Sequence, residues 1–329
     1  MNTQTKPTLT LGEFVPLMAL MISLVALSID AMLPALPNIG HDLGVEAAND
    51  QQLVISALFL GFGMAQLVFG PLSDSIGRKP AIHGGYIIFV IGCLMSIYAT
   101  TFEIMLVGRV LQGVGAAGPR IVCVALVRDQ YDGREMARIM SFVMGVFILV
   151  PALAPAMGQG VIMLVNWRAI FVVFLVLAFV AWAWFTKRQP ETLPPERRVG
   201  FSIYVIWSGV KETFSHRIAL GYILVSGLIF GALVGYLSSA QQMFSAIYQI
   251  TELFPAYFAV LALALGLASV INGRLVMKFG MRLLSSYAVM VLTVLSVIFF
   301  GYAVFMGGVP PLSLNMAYFI AAFMCFGML

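Results

Sequence analysis

Long apolar runs separated by short polar gaps fill this 329-residue chain. Ten runs stand out, near 14–36, 52–71, 82–100, 103–127, 138–162, 167–186, 218–242, 253–273, 283–306 and 312–329. A bilayer core of roughly 30 Å needs about 20 apolar residues per helix, so each run predicts a membrane-spanning helix. The sequence lacks the alternating polar and apolar segments, about ten residues each, that mark a membrane barrel. One gap holds GPLSDSIGRK at Gly70–Lys79. In a worn copy, Gly273, Arg274, Lys278, Gly280 and Arg282 take the places of Gly70, Pro71, Ser75, Gly77 and Lys79. A repeated, basic, glycine-bounded turn between spans predicts two similar halves.

Composition supports the same reading. Hydrophobic residues make up 61% of the chain and charged residues 10%, against about 25% charged in soluble domains. The basic residues then give an orientation. With the amino end in the cytoplasm, inside segments hold Lys6, Arg78, Lys79, Arg128, Arg134, Arg138, Lys187, Arg188, Arg197, Arg198, Lys211, Arg217, Arg274, Lys278 and Arg282. Outside loops hold only Arg168, while Arg109 and Arg120 fall within a span. The net charge of +4 therefore belongs to cytoplasmic loops and not to a nucleic-acid surface. The first span is too long for a signal peptide's apolar core, carries Asp30 and runs straight into another span, so it is read as retained. Cys93, Cys123 and Cys325 all lie inside spans, with no disulfide or metal spacing, and read as small core residues.

Residues 1–188 are expected to form an amino-terminal six-helix bundle, 189–217 a cytoplasmic linker and 218–329 a four-helix carboxyl-terminal bundle. Pro190, Pro194 and Pro195 break helix at the start of the linker. Ile203, Trp207, Val210 and Phe214 then recur at helical spacing, which predicts a helix lying in the membrane interface. The chain stops at Leu329 inside an apolar run, so a six-plus-six repeat would lack two spans, by natural truncation or because sequence is missing.

Few residues carry chemistry. Asp30 sits within the first span, where an ionised carboxylate costs at least about 2.5–3.5 kcal/mol on insertion scales. A group so placed can bind and release a proton as access to water alternates; the bland alternative is an inert carboxylate near the outer surface. Arg109 and Arg120 are eleven residues apart, about three helical turns, and so share a face with Gln112 and Gly113 on or near it. Arg109 is a candidate partner for Asp30, and Arg120 either faces a wet cavity or is a structural charge. GVGAAG at Gly113–Gly118 matches a dinucleotide fingerprint, but no strand precedes it and it lies in a continuous apolar helix. Close helix packing is the better explanation there, and also for the stripe Gly227, Gly231 and Gly235. Gly63 and Gly70 share a face with Gln52, Ser56 and Gln66, which suits either packing or a cavity wall. In the 70–79 loop, Gly70 and Gly77 allow a tight reversal, and Asp74 can accept from an arginine or a helix amino end. Arg78 and Lys79 are expected to anchor to water and anionic lipid. Together these five residues are read as a cytoplasmic latch on one access state. Pro151 and Pro155, ahead of Gly158, predict a bent fifth span.

These residues resemble the major facilitator superfamily, and the resemblance covers essentially the whole chain. GPLSDSIGRK is similar to the family's loop between its second and third helices, and RVLQGVGAA from Arg109 to its fourth-helix pattern. DAMLPALPNI resembles the first-helix segment of drug:proton antiporters, and VPALAPAMGQG, VRDQY and NWRAIF resemble their bicyclomycin/chloramphenicol resistance (Bcr/CflA) branch. Ala154 and Gln159 depart from the commoner form of the fifth-helix antiporter motif, and Met277 stands where the second loop would need an acid. The resemblance implies an all-α major facilitator fold, two six-helix bundles with the second truncated, in the bacterial inner membrane. It implies proton-driven efflux of small drug-like molecules by alternating access, with Asp30 and Arg109 in proton coupling. Gln52, Gln66, Gln112, Arg120, Tyr236, Gln241 and Gln242 are the expected substrate-cavity residues, and Pro151, Pro155 and Gly158 the antiporter-motif residues. The expected partners are drug substrates, protons and lipid, with no nucleic acid, no metal, no cofactor and a monomeric state. A proton symporter for a metabolite and a non-transporting fragment are the alternatives. His41, His83 and His216 lie near loops and no hydrolase or zinc-protease string occurs, so an enzyme is not expected.

Overall fold

The computed structural model describes residues 9–47 and 49–329, with the side chain of Val205 excepted, and Lys6 lies outside them. The described chain is helical without strands. Among the described residues nine helices are long and apolar enough to cross a membrane, and a shorter apolar helix, Leu312–Gly327, follows them. The tenth predicted span is thus a 16-residue helix, below the roughly 20 that a bilayer core needs.

The first span is broken. Helix α1 covers Leu11–Asp30, a 3-10 turn covers Leu33–Ala35 and α2 covers Leu36–Asp42. Pro34 has no N–H to offer the Asp30 carbonyl, and Pro37 none for Leu33, so α-helical bonding cannot continue through this stretch. The remaining helices of the first half are α3 (Leu53–Ile76), α4 (Arg78–Ile97), α5 (Phe102–Gln130), α6 (Gly133–Leu164) and α7 (Arg168–Arg188). After the connector come α8 (Ile203–Ser215), α9 (Arg217–Gln242) with a π-helical turn at Met243–Ile247, α10 (Phe254–Phe279), α11 (Met281–Phe305) and α12 (Leu312–Gly327).

Small residues set the tightest helix contacts. A Cβ on Gly113 of α5 would overlap the Leu58 carbonyl of α3, and one on Gly61 would overlap the Val110 carbonyl. Gly115 meets the Phe89 backbone of α4 in the same way, so the GVGAAG string is a packing surface. The stripe in α9 behaves differently: nothing lies within 4 Å of a Cβ built at Gly227, Gly231 or Gly235. Gly227 and Gly231 instead line a cavity, contrary to the packing expected of them. Gly63 and Gly70, for which both readings stood open, line it as well.

The two ends of the molecule are fastened separately. At one end Glu13 of α1 receives Arg188 of α7 through Nε at 2.6 Å and Nη2 at 2.7 Å, and the 70–79 loop lies here too. At the other, Trp167 donates Nε1 to Asp42 at 2.8 Å and Arg168 donates to the Ala99 carbonyl at 3.2 Å. Helix α8 leaves Ile203, Trp207 and Phe214 exposed, an apolar face with no protein packed on it.

Candidate functional site

A large cavity, about 1140 Å³, lies between the two groups of helices. Its walls come from α1, α3, α5 and α6 on one side and α9, α10 and α12 on the other. Phe59, Phe62, Phe147, Phe230, Phe258 and Phe323 stand among the aliphatic residues of a largely apolar lining, and Asp30, Gln66 and Arg120 interrupt that surface. The lining reaches Gly70, Ser73, Asp74, Arg78 and Arg128 at the end that carries the 70–79 loop. At the far end the halves meet: Gln52 and Gln242 bond to each other, and Gln242 donates to Asn49 at 2.9 Å.

Asp30 is 4% exposed and stands on the cavity wall at the last residue of α1. Pro155 and Gly158 of α6 are buried, and Pro151 lines the cavity. A Cβ on Gly158 would overlap the Ala31 carbonyl, so α6 is seated directly against the break beside Asp30. No ion pair or hydrogen bond joins Asp30 to Arg109. Arg109 is fully buried and spends its donors elsewhere: Nε to the Val54 carbonyl at 3.1 Å, Nη1 to Gln112 at 2.6 Å and Nη2 to the Ser28 carbonyl at 2.6 Å. Ser28 lies in the last turn of α1, where carbonyls lose their helical donors, and Arg109 supplies one. Gln112 passes the network to Cys93 of α4 at 3.2 Å, and the Arg109 guanidinium lies 5.9 Å from the Phe171 ring of α7. Arg109 therefore braces the broken span rather than pairing with the carboxylate.

Of the residues expected in the cavity, Gln66 and Arg120 line it. Gln112 is fully buried in the Arg109 network. Gln52 and Gln242 join the halves at the closed end. Gln241 is 3% exposed with its amide 3.5 Å from Ser245, and Tyr236 packs its ring 4.5 Å from Phe319 and 5.2 Å from Phe323. These five differ from expectation for one reason: their helices turn them toward the seam or the interior of a half.

The 70–79 loop is clasped from within its own half. Arg78 is 4% exposed. It bonds Asp74, Asp129 of α5 at 2.9 Å and Ser73 at 2.8 Å. The connector closes over it. Glu191 accepts the backbone N–H groups of Arg78 at 3.0 Å and Lys79 at 2.9 Å, the orphan donors at the start of α4, together with those of Thr192 and Leu193, both at 2.9 Å. Thr192 donates to Asp129 at 3.0 Å, and Lys79 donates Nζ to the Thr186 carbonyl at 2.8 Å and the Gln189 carbonyl at 3.0 Å. Arg78 and Lys79 are staples, then, and not the lipid anchors expected. Gly77 adopts φ 108° and is buried under Glu191, which explains a glycine there. Glu191, Asp129 and Thr192 escaped the sequence reading. The one available signal was Glu191 itself, an acid between prolines in the segment that ends the sixth span.

Two groups of membrane-length helices around an apolar cavity give the chain the architecture of a multi-pass membrane transporter. The Major Facilitator Superfamily profile matches residues 18–329, and the chain belongs to that family. It is 29% identical over 80% of its length to the uncharacterized MFS-type transporter YdgK of Bacillus subtilis. Identity is 29% over 81% of the chain to a bicyclomycin resistance protein homolog of Haemophilus influenzae, and 31% over 78% to a chloramphenicol resistance protein of Pseudomonas aeruginosa. The matches span 65%, 67% and 60% of those three relatives. The xylose transporter XylE from E. coli shares the fold at a TM-score of 0.69 and 12% identity, over 97% of this chain and 84% of that one. The human organic anion transporter MFSD10 does so at 0.66 and 17%, over 97% and 85%.

Proposed function

We propose that the chain exports small drug-like molecules across a bacterial inner membrane in exchange for protons, as a monomer with its amino end in the cytoplasm. Residues 1–188 and 218–329 act as two rocking units joined by the 189–217 connector. The 70–79 loop then faces the cytoplasm, and the cavity is in its inward-open state. One observation carries the reading: Asp30 is almost fully buried, lies on the cavity wall within the membrane, and has no hydrogen bond or ion pair among the described residues. A carboxylate held this way binds a proton when the cavity meets acid and releases it on the other side. Arg109 serves by position, holding the backbone two residues before Asp30. Gly70, Asp74, Gly77, Arg78 and Lys79 stabilise one access state through the clasp. The drug-resistance names of two relatives support the substrate class.

Everted membrane vesicles test this. Chloramphenicol is expected to accumulate when the vesicle lumen is acid, and Asp30→Asn to remove the response to the gradient while the protein still inserts. Accumulation indifferent to the gradient, or undiminished in Asp30→Asn, rejects the proposal.

A further inference from the structure

Two cations and one carboxylate in the cavity lining make no hydrogen bond or ion pair among the described residues. Arg120 stands in the middle of α5, its guanidinium 5.9 Å from the Phe147 ring of α6. It makes no hydrogen bond or ion pair among the described residues. Arg128 lies on the same helix at the open end, exposed and equally unpaired. Eight residues put it about 12 Å further along the axis at 1.5 Å per residue. On the acidic side, Asp74 is taken up by Arg78, which leaves Asp30. Asp30 and Arg120 lie on the walls of one cavity without touching.

That inventory fixes the charge a substrate meets. With Asp30 ionised, the deep cavity holds one negative and one positive group and is neutral overall. A lipophilic cation drawn to Asp30 must also approach the Arg120 guanidinium, which no ion pair or hydrogen bond ties up among the described residues, in a low-dielectric, mostly apolar space where like charges repel strongly. A neutral molecule meets no such opposition. Its acceptor oxygens can take some of the five N–H donors that the fold leaves free on Arg120, and its apolar body covers the phenylalanines. The cavity volume exceeds the roughly 300–1,000 Å³ common for small-molecule sites, so an occupant and its water fit together.

We infer that Arg120 makes this cavity selective for neutral, oxygen-rich amphiphiles, whose carbonyl or nitro oxygens it binds, and against lipophilic cations. The inference rests on the cavity being the substrate site but requires neither export nor proton coupling.

Matched fluorescent probes on one apolar body test it at pH 8 in lipid nanodiscs, with empty discs subtracted. 1-Pyrenebutanamide presents a carbonyl, and an N,N,N-trimethylammonium derivative of pyrene presents a fixed positive charge. The protein is expected to bind the amide at least tenfold more tightly. Arg120→Gln is expected to weaken the amide several-fold and strengthen the cation about tenfold, since the Asp30 charge then stands unopposed. Misfolding cannot produce that gain. Arg120→Lys keeps the order of the original protein, and adding Asp30→Asn to Arg120→Gln removes the gained cation affinity. Equal affinity for the two probes in the unsubstituted protein overturns the inference, whether or not the variants fold. So does an order unchanged by Arg120→Gln, or cation affinity that rises equally in Arg120→Lys. If the selectivity holds while the vesicles show no gradient-driven uptake, proton-coupled export fails and this inference survives. The opposite pair of results leaves export standing without it.

Discussion

The loops at 70–79 and 273–282 share a backbone and little else. Gly77 has φ 108° and ψ 159°, and Gly280 has φ 80° and ψ 153°, each opening the helix that follows. Arg78 after the first glycine is buried among Asp74, Asp129 and Ser73. Met281 after the second is 77% exposed, and Met277, in the place of Asp74, is 87% exposed. Lys278 of the second loop rests 5.2 Å from the Phe279 ring. Only the first loop has a connector folded across it, with Glu191 capping α4. The comparison separates two functions of one repeated string. Glycine turns the chain back into the membrane in both halves, while the clasp needs an acid, an arginine and a covering segment.

Five substitutions press on that contrast. Arg78→Met gives the first loop the second loop's residue and strips the cation from two carboxylates. Removing one partner of a buried pair costs about 3–5 kcal/mol, and the half-exposed Asp74 puts this case near the lower end, about 3 kcal/mol. Thermal unfolding in detergent should show a clear loss; an unchanged midpoint would mean the clasp adds nothing to stability. Alanine at the two glycines has a smaller and unequal effect. Each backbone is strained for a side chain, a cost of order 1–3 kcal/mol. At position 77 the new Cβ also lies 2.6 Å from Glu191 Oε2, whereas nothing lies within 4 Å at position 280. Gly77→Ala should therefore unfold at a lower temperature than Gly280→Ala, and the reverse order would contradict the geometry. Met281→Arg is the mildest. With Met277 still opposite, it should change stability by less than about 0.5 kcal/mol, and Met277→Asp beside it should recover about 0.3–0.5 kcal/mol through an exposed i,i+4 pair. A large gain from Met281→Arg alone would show that the second loop also has a hidden acceptor.

Much of the fold was legible because lipid imposes a length on each apolar run and proline imposes a break. All nine full spans overlap their predicted runs, and the helix of the sixth run ends at Arg188, just before Pro190, whereas the fracture of the first span at Pro34 was not anticipated. The site was legible in part. Asp30, Gln66 and Arg120 were found because polar groups inside apolar runs are rare and costly. What failed depended on distance through space. Nothing along the chain says that Arg109 turns to Ser28 instead of Asp30, or that Glu191 returns over Arg78. The cavity phenylalanines carried no mark either, because Phe59 and Phe230 look the same in sequence as phenylalanines that face lipid.

The closed end has its own consequence. Gln52, Gln242 and Asn49 seal it with uncharged amides. Parting that seam exchanges amide–amide bonds for amide–water bonds, at a net of about 0.5–1.5 kcal/mol each. No ion has to be stripped of its hydration when the seam reforms, so the barrier there is low and nearly indifferent to salt. A seam of this kind is a weak zipper, and if the two halves rock as proposed, the choice between positions falls to whatever occupies the middle of the molecule.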